Sequence, residues 1–236
     1  MPGIAENLLA VRASIDAAER KASCHPGSVS LLAVSKKCLP EAVREAFAFG
    51  QREFGENYVQ EGLEKIAALA DLPINWHFIG PIQSNKTRSI ASAFAWVHAI
   101  DRLKIAERLA EQRDPALPPL NVCLQVNVSG EESKSGVTPD ELPPLALAVA
   151  ALPNLSLRGL MCIPEPTEDE ILLRGRFRLL GALLADLRRL LPHAPLDTLS
   201  MGMSGDMSLA VAEGATIVRV GTAIFGARPR KVDQSL

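Results

Sequence analysis

The feature of this sequence that most constrains its fold is a regular alternation of short apolar segments with longer amphipathic ones. The short apolar segments are predicted to be strands, and they cover residues 29–35, 53–55, 75–80, 95–100, 120–128, 155–162, 196–199 and 215–220. Helical spacing predicts helices over residues 4–21, 40–49, 58–69, 102–113, 139–152, 168–191 and 205–213, with short helical starts after residues 83 and 221. This alternation, without an intervening linker, predicts a parallel sheet with helical crossovers.

The number of units predicts the architecture. About eight strand–helix units in 236 residues match the size of a single (β/α)8 barrel, the TIM barrel of the α/β class. A doubly wound open sheet is the alternative, and the similar lengths of the predicted strands favour closure. We expect one barrel domain over residues 1–228 and a flexible tail over residues 229–236. The leucine-rich segment 168–191 is expected to be a barrel helix rather than an interface, which favours a monomer.

Composition and charge exclude several classes of function. The net charge is −2 and the isoelectric point is about 6.1, so neither nucleic acid nor an anionic membrane is expected as a partner. The first residues lack the basic and apolar regions of a signal peptide, and no apolar window is long enough to span a bilayer. The four cysteines are far apart, which indicates neither a zinc site nor a disulfide framework; they are Cys24, Cys38, Cys123 and Cys162. We therefore expect a cytoplasmic protein.

The apolar segment that ends at Ser35 is followed directly by Lys36 and Lys37. A lysine at the end of a buried strand is unusual, because an ammonium group in apolar surroundings is costly. Removal from water and a neighbouring cation favour the neutral amine, which is a nucleophile toward aldehydes. The alternative is that the strand ends at Ser35 and both lysines are solvated.

Two later loops have the character of a phosphate site. Residues 199–205 and 218–222 are short, contain glycine and hydroxyl groups, and each leads into a predicted helix. In a barrel, phosphate commonly binds the loops after strands 7 and 8, where helix N-termini present free N–H groups. Either loop alone would be interpreted as helix capping, but the pair favours phosphate binding.

Arg219 is a lone charge within the apolar strand 215–220. Alternation places it on the same face as Ile217, and a buried arginine needs a carboxylate or a ligand atom as partner. A lysine after strand 1, two phosphate loops and this arginine together indicate a ligand with an aldehyde and a phosphate, and pyridoxal phosphate fits.

Other signatures are absent. The sequence has no P-loop and no G-x-G-x-x-G motif, and Asp206 breaks a G-x-S-x-G pattern around Ser204. The histidines are scattered and suggest no metal site; they are His25, His77, His98 and His193. His77 lies in a predicted strand, where a histidine with a structural role is the simpler interpretation.

Short segments in matching order along the chain resemble the pyridoxal phosphate homeostasis protein family. They are residues 33–36 (AVSK), 54–58 (FGENY), 76–80 (WHFIG), 83–86 (QSNK), 133–136 (SKSG), 158–161 (RGLM), 199–204 (LSMGMS) and 219–226 (RVGTAIFG). The resemblance implies the barrel of the alanine racemase N-terminal domain, and a protein that binds pyridoxal 5′-phosphate without known catalysis and helps to balance vitamin B6 and amino-acid pools.

The resemblance also implies roles for individual residues. Lys36, not Lys37, would form the imine with the cofactor, Arg219 would face the pyridine nitrogen, and Asn57 would lie near the ring. The phosphate would be held by a further set, namely Ser200, Ser204, Gly221 and Thr222. Enzymes that lack their cofactor are the expected recipients, and roles in transfer or in a second site stay open for Lys86, Lys134 and Lys231.

Two catalytic alternatives remain. One is a pyridoxal phosphate enzyme, such as a racemase or decarboxylase of the same fold, and the other is a barrel enzyme that acts on a sugar phosphate. Racemases that resemble this barrel add a β-domain that supplies a tyrosine, whereas we expect no such domain here and Tyr58 is the only tyrosine. An arginine at the ring nitrogen would also disfavour ring protonation. Both features favour a carrier over an enzyme.

Overall fold

The structure is a computed structural model that describes residues 3–131 and 135–226. Its strands, in chain order, are β1 (Ser30–Val34), β2 (Glu53–Glu56), β3 (Asn75–Phe78), β4 (Trp96–Ile100), β5 (Leu120–Gln125), β6 (Leu155–Met161), β7 (Thr198–Ser200) and β8 (Ile217–Val220). Its helices are α1 (Ile4–Lys21), α2 (Pro40–Ala48), α3 (Val59–Ala68), α4 (Thr87–Ala93), α5 (Leu103–Gln112), α6 (Leu142–Ala150), α7 (Glu170–Leu190), α8 (Met207–Ala212) and α9 (Thr222–Phe225). A 3₁₀ turn, Ser84–Lys86, leads into α4.

The strands form a closed, parallel barrel in sequential order. Closure depends on the pairing of β1 with β8, in which Leu31 lies opposite Val218 and Leu32 lies opposite Arg219. The predicted (β/α)8 barrel is therefore confirmed, and the alternative of an open, doubly wound sheet is wrong.

The main core lies between the outer face of the barrel and the helices. Each strand alternates, so that Val218 and Val220 of β8 point into this core, whereas Ile217 packs inside the barrel against residues of β1 and the β3 end. On α7, the buried residues recur at helical spacing; they are Leu173, Phe177, Leu180, Leu184 and Leu187. This face packs on the core, as expected of a barrel helix.

The ring of helices is completed from the N-terminus. The last helix, α9, has only four residues and cannot cover the seam between β8 and β1. Instead α1 packs against α2, α8 and α9, and the Asn7 side-chain amide donates to the Ile224 carbonyl at 2.9 Å. Its buried residues, among them Leu8 and Val11, enter the main core.

Most predicted boundaries agree with the structure within a few residues, and three differ for physical reasons. Predicted strand 196–199 forms its ladder later, over β7, where Gly159 of β6 pairs with Thr198. Predicted helix 139–152 begins later, at Leu142, because Pro143 and Pro144 suit a first turn. Strand 120–128 ends at Gln125, beyond which Val126 makes only an isolated bridge.

Some expectations fall outside what the structure describes. The tail 229–236 lies beyond the described residues, as do Lys134 and Lys231. Within the described part of the chain, no helix is long and apolar enough to cross a membrane.

Candidate functional site

A cavity of about 290 Å³ opens at the carboxyl ends of the barrel strands. It is lined by residues in or directly after β1, β2, β3, β6, β7 and β8, namely Val34, Lys36, Asn57, Ile79, Ile163, Met203, Ser204, Gly205, Arg219, Gly221 and Thr222. Six of the seven residues expected in a cofactor site therefore meet in one place. The exception is Ser200.

Lys36 follows β1 in a turn, and the residues before and after it are held by hydrogen bonds to α3. Lys37 has a left-handed backbone conformation, with φ of 63°, and its N–H donates to the Glu61 carboxylate. On the other side, Lys65 Nζ donates to the Ser35 carbonyl at 2.6 Å. The backbone around Lys36 is thus fixed from α3, the helix that carries Glu61 and Lys65.

Lys65 is also the centre of a buried ion cluster. Lys65 Nζ lies 2.8 Å from Glu56 Oε1 and 2.6 Å from Glu61 Oε1, and the Ser35 hydroxyl donates to Glu56 at 2.6 Å. Burial raises the pKa of Glu56, although Lys65 and the Ser35 hydroxyl oppose this rise. Because Glu56 is fully buried, removal of Lys65 would leave a carboxylate in apolar surroundings.

Asn57, just beyond β2, provides an unsatisfied hydrogen-bond acceptor. Its Oδ1 is buried and has no hydrogen-bond partner among the described residues. The backbone position is fixed by Gly80, where a Cβ would lie only 2.1 Å from the Asn57 carbonyl oxygen. A buried amide oxygen without a partner is rare in folded proteins, so this acceptor is available to a bound molecule.

The loops after β7 and β8 contribute Ser204, Gly221 and Thr222 to the cavity, as expected. Gly202 allows the first loop to turn into α8, since its φ is 92° and a Cβ would lie 2.6 Å from the Ala210 Cβ. The second loop enters α9 at Thr222. N–H groups in the first turn of a helix have no partner within it, so this rim of the cavity suits an anion.

Arg219 brings a buried positive charge to the cavity. Its Nη1 donates to the Ser200 carbonyl at 2.6 Å and to the Ser200 hydroxyl at 2.8 Å, and Nη2 donates to the Cys162 carbonyl at 2.8 Å. Burial lowers its pKa from the ordinary value, but an arginine remains charged near neutral pH. No carboxylate among the described residues pairs with it, so its charge is available to a ligand.

The structure does not bring Ser200 into the cavity. Its side chain is fully buried in the barrel interior, where the hydroxyl contacts Arg219 and His98 Nδ1, the latter at 2.8 Å. Ser200 therefore does not line the cavity in this geometry, and its contact with a phosphate stays a prediction. Ser200 lies on the ladder of β7, one layer below the loop that carries Ser204.

The histidine in β3 has the structural surroundings that its strand position suggests. His77 is buried in the barrel interior and lies within hydrogen-bond distance of Glu53 and His98. Nothing in the sequence singled out Glu53 or His98, although both occupy strand positions on the inward face. Their side chains meet only because β2, β3 and β4 are neighbours in the barrel.

Other candidates lie apart from the cavity. Lys86 is exposed in the 3₁₀ turn, and Tyr58 is 52% exposed at the start of α3; neither lines the cavity. Burial raises the pKa of Cys123 and Cys162 to about 12. The described residues include no cluster that could hold a metal ion.

Comparison with known proteins places this barrel in a family. The family model of the alanine racemase N-terminal domain matches residues 7–229. The pyridoxal phosphate homeostasis protein of Pseudomonas aeruginosa is 62% identical over 228 residues, covering 97% of each chain. The chain belongs to the pyridoxal phosphate homeostasis protein family. The Escherichia coli K12 member of this family is 52% identical over 231 residues, covering 97% of this chain and 98% of that protein.

Solved structures agree with this family. PipY of Synechococcus elongatus, solved with pyridoxal phosphate bound, is 40% identical with a TM-score of 0.83, covering 94% of this chain and all of that one. Alanine racemase of Corynebacterium glutamicum is 17% identical with a TM-score of 0.71, covering 97% of this chain and 62% of that one. The racemase shares the barrel fold, whereas the match to the homeostasis protein family extends over nearly the whole length of its members.

The ion cluster under α3 generates a prediction about stability. Lys65→Met keeps the length of the side chain but leaves Glu56 buried without its cation, so we expect a loss of about 3–5 kcal/mol in the free energy of unfolding. Urea unfolding followed by circular dichroism measures this. Arg44→Met, which removes an exposed ion pair with Asp71, is the control and should change stability little. Equal effects of the two substitutions would contradict the assignment.

Proposed function

We propose that this protein binds pyridoxal 5′-phosphate in the cavity at the carboxyl ends of the barrel strands, and that it binds, buffers or delivers the cofactor without catalysis of its own. The observation that carries the proposal is the convergence of Lys36, Arg219 and the two hydroxyl- and glycine-containing loops in one cavity. Lys36 would hold the aldehyde of the cofactor, because its amine could condense with the carbonyl carbon with release of one water.

The residues present fit the chemical groups of the cofactor. The phosphate suits Ser204, Gly221 and Thr222, and the ring nitrogen, an acceptor when unprotonated, suits the buried cation of Arg219. Asn57, with its unsatisfied oxygen, would lie beside the ring. The cavity volume of about 290 Å³ lies just below the range of ligand pockets, which span about 300–1,000 Å³.

The chain's own residues favour holding the cofactor over using it. When bound, pyridoxal phosphate supplies an electron sink, which is strongest when its ring nitrogen is protonated. Arg219 opposes that protonation, because two neighbouring positive charges repel. A racemase also needs a proton donor or acceptor on each side of the substrate carbon, and Tyr58 does not line the cavity. The names of the relatives support the same reading, and the alternative is a racemase or decarboxylase.

The oligomeric state, the cellular location and the partners of the protein are also part of the proposal. We expect a monomer in the cytoplasm, because α7 is used as a barrel helix and the cysteines form no disulfide within the described residues. Enzymes that lack their cofactor are the expected partners, as recipients of pyridoxal phosphate. A sugar-phosphate enzyme is disfavoured, since the PipY neighbour holds pyridoxal phosphate.

The first test concerns the covalent link. Lys36→Ala should abolish the visible absorption band of the cofactor-loaded protein, because the amine that condenses with the aldehyde is gone. Lys37→Ala is the matched control and should keep the band, since that residue is exposed and does not line the cavity. Borohydride reduction followed by peptide mapping identifies the modified lysine. Reduced cofactor on another lysine in Lys36→Ala would sink the assignment.

The second test concerns the phosphate. A hydrogen bond to a charged group contributes about 1.5–3 kcal/mol, so Ser204→Ala should weaken pyridoxal phosphate roughly tenfold or more. Pyridoxal, which lacks the phosphate, should bind poorly to the unmodified protein and respond little to the substitution. Titrations followed by absorption measure both affinities. Equal affinity of the two vitamers would show that these loops do not hold the phosphate.

The third test separates a carrier from an enzyme. The cofactor-loaded protein is expected to exchange the Cα hydrogen of alanine or serine no faster than free pyridoxal phosphate does. Incubation in heavy water followed by proton NMR detects slow exchange of this kind. Saturable exchange above the free-cofactor control, lost in Lys36→Ala, would favour the racemase or decarboxylase alternative instead.

A further inference from the structure

A continuous chain of hydrogen bonds crosses the barrel interior below the cavity. Glu53 Oε2 lies 2.6 Å from His77 Nε2, and His77 Nδ1 lies 2.9 Å from His98 Nε2. His98 Nδ1 lies 2.8 Å from the Ser200 hydroxyl, which accepts from Arg219 Nη1 at 2.8 Å. Five strands contribute one residue each, so the chain exists only in the closed barrel.

The chemistry of its two ends fixes the direction of every bond. An ionised carboxylate only accepts, so His77 Nε2–H donates to Glu53, and a neutral His77 then accepts at Nδ1 from His98 Nε2–H. His98 Nδ1 is left as an acceptor for the Ser200 O–H, while the Ser200 oxygen accepts from Arg219, which only donates. Burial lowers the pKa of both histidines, in agreement with neutral rings.

We propose that Glu53, His77, His98 and Ser200 are positioning residues whose directed hydrogen-bond chain fixes the orientation of the Arg219 guanidinium, which faces the cofactor ring. The part of this inference that concerns the ring rests on the proposed function. In a medium of low dielectric, successive hydrogen bonds polarise one another, so the carboxylate of Glu53 acts through the imidazoles on the serine oxygen that receives Arg219. The chain thereby supplies a partial counter-charge to an arginine that has no carboxylate partner among the described residues.

The far end of the chain reaches the opposite mouth of the barrel. The Glu53 side chain is 33% exposed and lines a cavity of about 180 Å³ with His77 and Trp96. The His77 ring stacks on Trp96, with centroids 5.3 Å apart and planes within 5°. The carboxylate can therefore stay hydrated and ionised while the imidazole next to it is held in a fixed plane.

Other charged groups lie near the hydrogen-bond chain but do not take part in it. Arg158 of β6 lies over the Trp96 ring at 4.8 Å and pairs with Asp197. Near Arg219 the remaining titratable groups are Asp206 and the two buried thiols, Cys123 and Cys162. Asp197 therefore offers a matched control: it is a carboxylate near the start of β7 whose partner is Arg158, outside the chain.

The first experiment examines the chain without the cofactor. Two-dimensional ¹⁵N–¹H NMR of the imidazoles in the cofactor-free protein should show both His77 and His98 as neutral Nε2–H tautomers at neutral pH. In Ser200→Ala, the His98 Nδ1 resonance should shift, because it loses its donor. A charged ring, or an Nδ1–H tautomer on either histidine, overturns the directed chain whatever the function of the protein.

The second experiment examines its effect on the cofactor. With pyridoxal phosphate labelled at the ring nitrogen, ¹⁵N NMR should show an unprotonated ring in the unmodified protein. In Ser200→Ala, the guanidinium of Arg219 loses the hydroxyl that fixes it against the ring nitrogen, so the pH at which the ring becomes protonated should rise by about one unit, a tenfold change in the protonation equilibrium. Asp197→Asn should leave it unchanged. An equal shift in Asp197→Asn, or no shift in Ser200→Ala, overturns the positioning role.

Affinity provides a further readout that separates this inference from the proposed site. Because the Ser200 hydroxyl lies outside the cavity, Ser200→Ala should weaken pyridoxal phosphate and pyridoxal by the same factor, unlike Ser204→Ala. A loss confined to pyridoxal phosphate would mean that Ser200 contacts the phosphate and would overturn its assignment here. Failure of the unmodified protein to bind pyridoxal phosphate would refute the proposed function. The NMR of the cofactor-free protein would still test whether the hydrogen-bond chain has the proposed direction.

Discussion

The pairing of the first strand with the eighth is the interaction on which the rest of this structure depends. It places Leu32 opposite Arg219 and Ala33 opposite Val220, so that the end of β1 and the loop after β8 share one rim. Lys36 and Thr222 are far apart in sequence and meet only through this closure. An open sheet with the same strands would leave β1 and β8 on different edges and would have no such cavity.

Closure also buries both faces of each strand, and polar groups are buried on both the outer and the inner face of the barrel. Outside the barrel, Lys65 is buried against Glu56 and the Ser35 carbonyl, beneath α3. Inside, small apolar clusters share the barrel with the hydrogen-bond chain that ends at Arg219. Buried ionic groups seldom add net stability compared with well-packed apolar residues, so their value here is positional. One cluster fixes the backbone around Lys36, and the other orients the arginine.

Local sequence pattern was sufficient for the architecture and predicted part of the lining of the cavity. The alternation of strands and helices predicted the barrel, and strand parity placed Arg219 inside it. The face of a strand on which a residue lies can be predicted locally, but its hydrogen-bond partner on another strand cannot. His98 and Ser200 are 102 positions apart, and no pattern within β4 or β7 connects them. Ser204, in the loop after β7, lines the cavity, whereas Ser200 lies in β7 itself, because the boundary of a three-residue strand decides which hydroxyl faces the cavity.

The proposed roles of the two cations explain how one barrel fold can serve binding without chemistry. Lys36 supplies a covalent hold, and a residue that binds the aldehyde alone does not supply the second proton transfer that racemisation needs. Arg219 makes the opposite contribution to binding and to catalysis: it holds the ring nitrogen, and by its charge it weakens the ring as an electron sink. The proposed hydrogen-bond chain supports this effect, because it keeps the guanidinium of Arg219 in a fixed orientation toward the ring. In the proposed function, Arg219 in the barrel interior thus limits the reactivity of the same molecule that Lys36 and the loops at the rim hold.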